Sequence, residues 1–191
     1  NTNDGSCLYI EEYDLHEGAN LISFLSLPNE AALSNVISIS ENPNVLTIIG
    51  EGEAASPNDG GWIGNLNEID LLNGYWIKMS SSDVISVLAN ELPGHTDLTY
   101  SLHYGANLIS FPFDGAYDLE AVLPPEVIDV LISIIGEGEA ASPNFGEGFL
   151  GNLNTLEGGK GYWFKLAGDV EFEFVVPVSR ATGPINIPKI K

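Results

Sequence analysis

Apolar residues along this chain come in short runs separated by Gly, Pro and Asn, not in long stripes of helical period. Leu21 to Leu27 and Leu108 to Phe113 are strongly apolar stretches of strand length, and Val45 to Ile49 and Val127 to Ile135 are β-branched runs. Val170-Glu171-Phe172-Glu173-Phe174-Val175 alternates with a period of two, as a strand with one buried face requires. Further strands are expected at Tyr13 to His16, Tyr100 to His103, Tyr75 to Met79, Tyr162 to Leu166 and Asp83 to Leu88, with a Gly-Ala-Asn turn after each of the first two. Helical signals are brief. Asn29 can cap a turn carrying Ala31-Ala32-Leu33 and Val36-Ile37. Asp118-Leu119-Glu120-Ala121-Val122-Leu123 is halted by Pro124-Pro125, because proline lacks the N–H and crowds the preceding turn. Most of the 21 glycines and 11 prolines sit between these segments, where turns need them.

The pattern occurs twice. Gly50-Glu51-Gly52-Glu53-Ala54-Ala55-Ser56-Pro57-Asn58 returns unchanged as Gly136 to Asn144, 86 residues later. Gly18-Ala19-Asn20-Leu21-Ile22-Ser23-Phe24 returns at Gly105 to Phe111, Gly64-Asn65-Leu66-Asn67 at Gly151 to Asn154, and Gly74-Tyr75-Trp76-Ile77-Lys78 at Gly161 to Lys165 as Gly-Tyr-Trp-Phe-Lys, each 87 residues later. A tandem duplication in nearly constant register predicts two small units of one design. The expected architecture is mainly β: two homologous barrel- or sandwich-like repeats, each of about five strands and one short helix, related by an approximate twofold axis. The divisions are a tail at 1–12, repeat 1 at 13–90, a linker at 91–99 containing Glu91-Leu92-Pro93-Gly94-His95, repeat 2 at 100–176, and a C-terminal arm at 177–191.

Charge narrows the partners. Asp and Glu number 27 against 6 Lys and Arg, a net charge of −21. Nucleic acid is excluded, since its binding rests on neutralising phosphates. Anionic membrane surfaces are excluded for the same reason, and no apolar run reaches the ~18 residues of a membrane span. An acidic excess keeps a protein dispersed where salt screens self-repulsion, which suits a marine or extracellular setting. Cys7 is the single cysteine, either a free thiol or one whose partner lies upstream. The start, Asn1-Thr2-Asn3-Asp4-Gly5, is not a signal peptide and reads as the interior of a longer protein.

Asn1-Thr2-Asn3-Asp4-Gly5-Ser6-Cys7-Leu8-Tyr9 resembles the end of a short module closing in Asp-Asp-Gly-Ser-Cys-hydrophobic-Tyr. That module recurs in large secreted and surface proteins of marine and Bacteroidetes-type bacteria; Asn3 here replaces the first Asp. The Gly-x-Asn-Leu-Ile-Ser-Phe-Pro and Gly-Tyr-Trp-x-Lys pairing, over 13–88 and 100–175, resembles a repeat found beside other modules in such proteins. The resemblance implies a secreted or cell-surface, non-catalytic accessory domain. The expected partners are other modules of the same polypeptide and surface or assembly partners, with glycans in the alternative, carbohydrate-binding reading. A phage or filament subunit exchanging its terminal arms is the alternative of another class.

The duplicated acidic loop is the foremost candidate site. Glu51, Glu53, Ser56 and Asn58, with Glu137, Glu139, Ser142 and Asn144, place carboxylate, hydroxyl and amide oxygens within a few residues. Such a set can hydrogen-bond a sugar or, through Glu51, Glu53, Glu137 and Glu139, hold Ca²⁺ as a cofactor. The structural alternative is a hairpin whose Ser and Asn bond the backbone around Pro57 and Pro143. Trp62, beside Gly60-Gly61, is the tryptophan expected to be exposed for sugar stacking. Trp76 and Trp163 lie inside apolar strands and are expected in the core. His16 and His103 occupy equivalent strand ends. They can meet across a repeat interface around a metal or, as the plainer reading, act as satisfied polar residues. Lys78 and Lys165 are placed to neutralise carboxylates of the loops. No Gly-x-Ser-x-Gly elbow, Cys–His pair or Asp-Thr/Ser-Gly motif is present, so no enzyme is expected.

Overall fold

The computed structural model describes residues 9–89, 98–144 and 146–175. In the first half these form β1 (Tyr9–Leu15), β2 (Gly18–Ser23), α1 (Leu33–Val36), β3 (Val45–Ile49), β4 (Ala54–Asn58), β5 (Gly61–Gly64), β6 (Gly74–Met79) and β7 (Asp83–Ala89). In the second half they form β8 (Tyr100–Leu102), β9 (Gly105–Ser110), β10 (Ala116–Asp118), α2 (Leu119–Val122), α3 (Pro125–Val130), β11 (Leu131–Ile135), β12 (Ala140–Asn144), β13 (Gly148–Gly151), β14 (Thr155–Glu157), β15 (Gly161–Leu166) and β16 (Val170–Phe172). The protein is mainly β, as the short apolar runs predict. Cys7, residues 91–97 of the expected linker 91–99, and the arm 177–191 lie outside the described residues. β1 begins at Tyr9, so it reaches back into the stretch that reads as a tail.

Each half carries one five-stranded antiparallel sheet, in the order β2-β6-β3-β4-β5 in the first and β9-β15-β11-β12-β13 in the second. β1 pairs with β7, β8 with β16 and β10 with β14 as separate two-stranded ribbons. None of these sheets closes into a barrel, which corrects that part of the expectation. In both five-stranded sheets the first and last strands in the order stay unpaired with each other, and the ribbons β1–β7 and β8–β16 share the cores of their sheets. Tyr13 and Leu15 of β1 and Ile85 and Val87 of β7 point into the same core as Ile22, Ile48 and Ile77 of the sheet. The second half has its own core, where Tyr100, Leu102 and Phe172 of the ribbon pack with Ile109, Ile134 and Phe164 of the sheet.

Strand periodicity decides what is buried. On β6 the inward set is Tyr75, Ile77 and Met79, and on β15 it is Tyr162, Phe164 and Leu166. Trp76 and Trp163 therefore fall on the opposite face and are half-buried, not core residues as expected from their apolar surroundings. Two other expectations change. The Gly-Ala-Asn segments are the first residues of β2 and β9, not turns. The turn comes earlier and is held by the asparagine: Asn20 Oδ1 accepts the His16 N–H at 2.9 Å while its Nδ2 donates to the His16 carbonyl at 2.8 Å. Asn107 does the same for His103. The run Val127 to Ile135 is not one strand. Pro125 opens α3, where a missing N–H costs nothing because first-turn donors lack helical partners anyway. The chain turns extended only at Leu131.

Candidate functional site

The repeated acidic loop is the tip of a hairpin. Gly50 donates to the Glu53 carbonyl at 2.9 Å, and Gly136 to that of Glu139 at 2.9 Å. Gly52 and Gly138 have φ of 76° and 74°, a left-handed geometry that L side chains disfavour. The second repeated motif, Gly-Asn-Leu-Asn, braces this tip. Asn65 Oδ1 accepts the Ala54 N–H at 2.9 Å and its Nδ2 donates to the Gly52 carbonyl at 3.3 Å. Asn152 makes the matching pair to Ala140 and Gly138. Gly64 and Gly151 lie so close to the hairpin that a Cβ on either would fall on the carbonyl oxygen of Ala54 or Ala140. Two motifs distant in sequence thus form one local structure.

The first glutamate of each hairpin leaves its own half. Glu137 Oε1 lies 2.6 Å from His16 Nε2, and Glu137 Oε2 accepts the Leu21 N–H at 2.7 Å. Reciprocally, Glu51 Oε1 lies 2.8 Å from His103 Nε2, and Oε2 accepts the Leu108 N–H at 2.8 Å. Leu21 and Leu108 lie on β2 and β9, edge strands of their five-stranded sheets. Further along these edges the other half continues the coverage. Ser23 donates its N–H to Gly159 O at 2.9 Å and its hydroxyl to Lys160 O at 2.8 Å. Ser110 donates to Leu72 O at 3.0 Å and Leu71 O at 2.6 Å. Bare strand edges invite pairing with other chains. Here each half covers the other's edge.

The candidate ligands do not converge. Glu51 and Glu137 are engaged across the halves. Glu53 folds back beneath its own tip, where burial first and Asp70 second raise its carboxyl above the usual range. Below it, burial pushes the Tyr75 hydroxyl up to about 12. Ser56 donates to Thr47 Oγ1 at 3.1 Å, and Asn58 Oδ1 accepts the Gly60 N–H at 2.9 Å in the next turn. Asn144 donates to Glu147 at 2.9 Å, and Ser142 is exposed on β12. Trp62 is not a free stacking platform. It is half-buried against the first core, and its indole N–H donates to the Ile37 carbonyl at 3.1 Å. The side-chain ion pairs among the described residues are His16–Glu137, His103–Glu51 and Lys160–Glu157, so histidines, not Lys78 and Lys165, meet the loop carboxylates. Among those residues no group of three or more His, Cys, Asp and Glu is arranged to hold a metal ion. No helix there is long and apolar enough to cross a membrane.

Sequence reasoning missed a cleft of about 550 Å³ between β1, the Glu137 hairpin tip and the turn before β15. Glu11, Tyr13, Leu25, Asp114, Glu139 and Lys160 are among the residues around it. Burial raises the Glu11 carboxyl, against hydrogen bonds to Tyr13 and Ser26 that lower it, and its Oε2 is buried without a hydrogen-bond partner. The signal was in the differences between the copies, not the identities. At an offset of 87, Glu11 corresponds to Leu98, Asp114 to Leu27, Gly158 and Gly159 to Leu71 and Leu72, and Lys160 to Asn73. Leu71, Leu72 and Leu98 pack against the two cores. Their counterparts Gly158, Gly159 and Glu11 all line the cleft.

Comparison with protein-family profiles, curated proteins and solved structures finds no match to this chain.

Proposed function

We propose that this chain is a non-catalytic structural and binding module of a longer secreted or surface-exposed polypeptide, built as a fused pair of homologous units about an approximate twofold axis. The observation that carries this reading is the reciprocal use of Glu51 and Glu137. The most distinctive residues of the chain fasten one half to the other, and the β2 and β9 edges are both covered in doing so. A module of this kind withholds its β2 and β9 edges from its neighbours in a long protein, and its acidic surface suits screened, saline surroundings. The resemblance of both halves to an accessory repeat of secreted bacterial proteins supports the same placement.

The test is the double variant Glu51→Ala/Glu137→Ala. It strands the Leu21 and Leu108 N–H groups, each worth about 1–3 kcal/mol when left unsatisfied in a partly buried site. The expected result at pH 6 is a clearly lowered melting temperature and separation of unfolding into two steps, one per half. A single transition at the wild-type temperature would sink the reading.

The divergence around the cleft favours a second activity, glycan binding there and not at the hairpins. Carboxyl oxygens of Glu11 and Asp114 can bond sugar hydroxyls while Leu25 offers an apolar wall. A hairpin ligand would bind twice and a cleft ligand once. Calorimetry on a glycan-array hit is expected to give one site per chain, abolished by Glu11→Leu/Asp114→Leu, the residues of the other half. Two sites, or a hit indifferent to that variant, would rule the cleft out.

A further inference from the structure

We infer that the two cross-half contacts form a paired proton-dependent latch, closed while His16 and His103 are imidazolium and weakened together when they lose a proton. The geometry favours the charged form. His16 Nδ1 lies 2.7 Å from the Glu17 carbonyl oxygen and its Nε2 lies 2.6 Å from Glu137 Oε1. His103 Nδ1 lies 2.8 Å from the Tyr104 carbonyl oxygen and its Nε2 2.8 Å from Glu51 Oε1. A carbonyl oxygen only accepts, as does a carboxylate. A neutral imidazole has one N–H, so it would satisfy one oxygen and set a lone pair against the other; imidazolium donates to both. The glutamate's second oxygen accepts a backbone N–H from Leu21 or Leu108, which fixes the carboxylate beside the ring.

The surroundings push the same way. Asp14 and Asp83 share a surface hollow with His16, and Glu139 and Lys160 share its cleft, Lys160 being paired to Glu157 at 2.8 Å. His103 feels Asp169, whose carboxylate accepts the Tyr104 N–H at 2.6 Å. Lys78 and Lys165 make no ion pair to either glutamate. For both imidazoles the backbone carbonyl first and the glutamate second raise the pKa above the ordinary value of 6.5. The folded state therefore holds the protons more tightly than the unfolded one. The latch's contribution is complete below about pH 6.5 and is lost as pH rises through the raised folded-state values.

The inference rests on the fastening role of Glu51 and Glu137, and one experiment separates the two. Melting temperatures of the full chain are followed from about pH 5.5 to 9, a range spanning histidine titration, for wild type, His16→Gln/His103→Gln and Glu51→Ala/Glu137→Ala, with the imidazoles of the wild type titrated by NMR. A wild-type melting temperature that falls through the histidine range, a slope lost in the histidine pair, and ring midpoints above 6.5 at His16 and His103 support the latch. A histidine pair with the wild-type slope, or ring midpoints at or below 6.5, overturns it even if the variants fold poorly. If the glutamate pair melts like wild type at pH 6, the fastening role itself fails and the latch with it.

Discussion

Gly161→Ala is expected to destabilise both halves of the chain, although it adds one methyl group. Gly161 and Gly74 face each other where β15 passes β6. A Cβ on Gly161 would stand 2.7 Å from the Ile22 carbonyl oxygen, 3.0 Å from Leu21 Cδ1 and 3.2 Å from the Gly74 Cα. A Cβ on Gly74 would meet the Ile109 carbonyl oxygen at 2.9 Å, Leu108 Cδ1 at 3.0 Å and the Gly161 Cα at 3.2 Å. Most of these neighbours are backbone, so the strain cannot be relieved by a side-chain rotation. Overpacking typically costs ~1–3 kcal/mol, and backbone on both sides places this site at the upper end. The displacement also moves Leu21, whose N–H holds Glu137, so part of the fastening is lost with it. Against a total stability of about 5–15 kcal/mol, that is a large fraction. Urea denaturation should show the loss. Gly168→Ala, where the nearest atom is a Val130 methyl at 3.7 Å, should be close to neutral. The two glycines share one gap, so Gly74→Ala/Gly161→Ala should cost less than the sum of the singles. A Gly161→Ala variant as stable as the Gly168→Ala control would show that the halves do not bear on each other there.

The sequence carried local structure well and relations between distant segments poorly. The alternation beginning at Val170, where burial on one face imposes a period of two, and the β-branched run Val45 to Ile49 both marked strands. The same rule places Tyr75 inside and Trp76 outside, on the side of Lys78, a parity that the apolar Tyr75-Trp76-Ile77 run masks. Pro124-Pro125 was legible as a stop but not as a start, since a proline ends one helix and suits the first turn of the next equally well. The hairpin tips were legible as turns from their glycines. That Glu51 and Glu137 would reach across to His103 and His16 was not, because no local rule links residues 52 or 121 positions apart. Repetition makes the histidines and glutamates conspicuous, whereas no motif marks Glu11, Asp114, Gly158 and Gly159, where the copies differ and the cleft lies.

Phe111→Ala is expected to be the more damaging of two equivalent truncations, and by a margin that the two cores explain. Phe111 is fully buried and meets Phe113 edge-on at 5.4 Å, Phe174 edge-on at 5.2 Å and Tyr117 tilted at 6.0 Å. Phe24, at the same place in the first half, meets Tyr13 at 5.3 Å and Tyr75 at 6.0 Å. Truncating a buried phenylalanine costs about 3–5 kcal/mol through lost burial and the cavity left behind. Each well-oriented ring pair adds roughly 0.5–1.5 kcal/mol. Phe111 forfeits one more such pair than Phe24, and Phe174 is the one that matters most. Phe174 also packs on Tyr100, Phe172 and Phe164, so it ties the ribbon β8–β16 to the sheet. The next residue, Val175, donates its N–H to the Val122 carbonyl at 2.9 Å and so holds the strand's exit against α2. Removing Phe111 should therefore loosen 172–175 ahead of global unfolding, seen as faster amide exchange at Val175 at urea concentrations where β11 and β15 remain protected. The loss should also reach the first half, because β9 carries both Leu108 and Ser110, which bond Glu51 and Leu71. Equal costs for Phe24→Ala and Phe111→Ala, with Val175 exchange unchanged, would mean that the aromatic cluster adds nothing beyond ordinary burial.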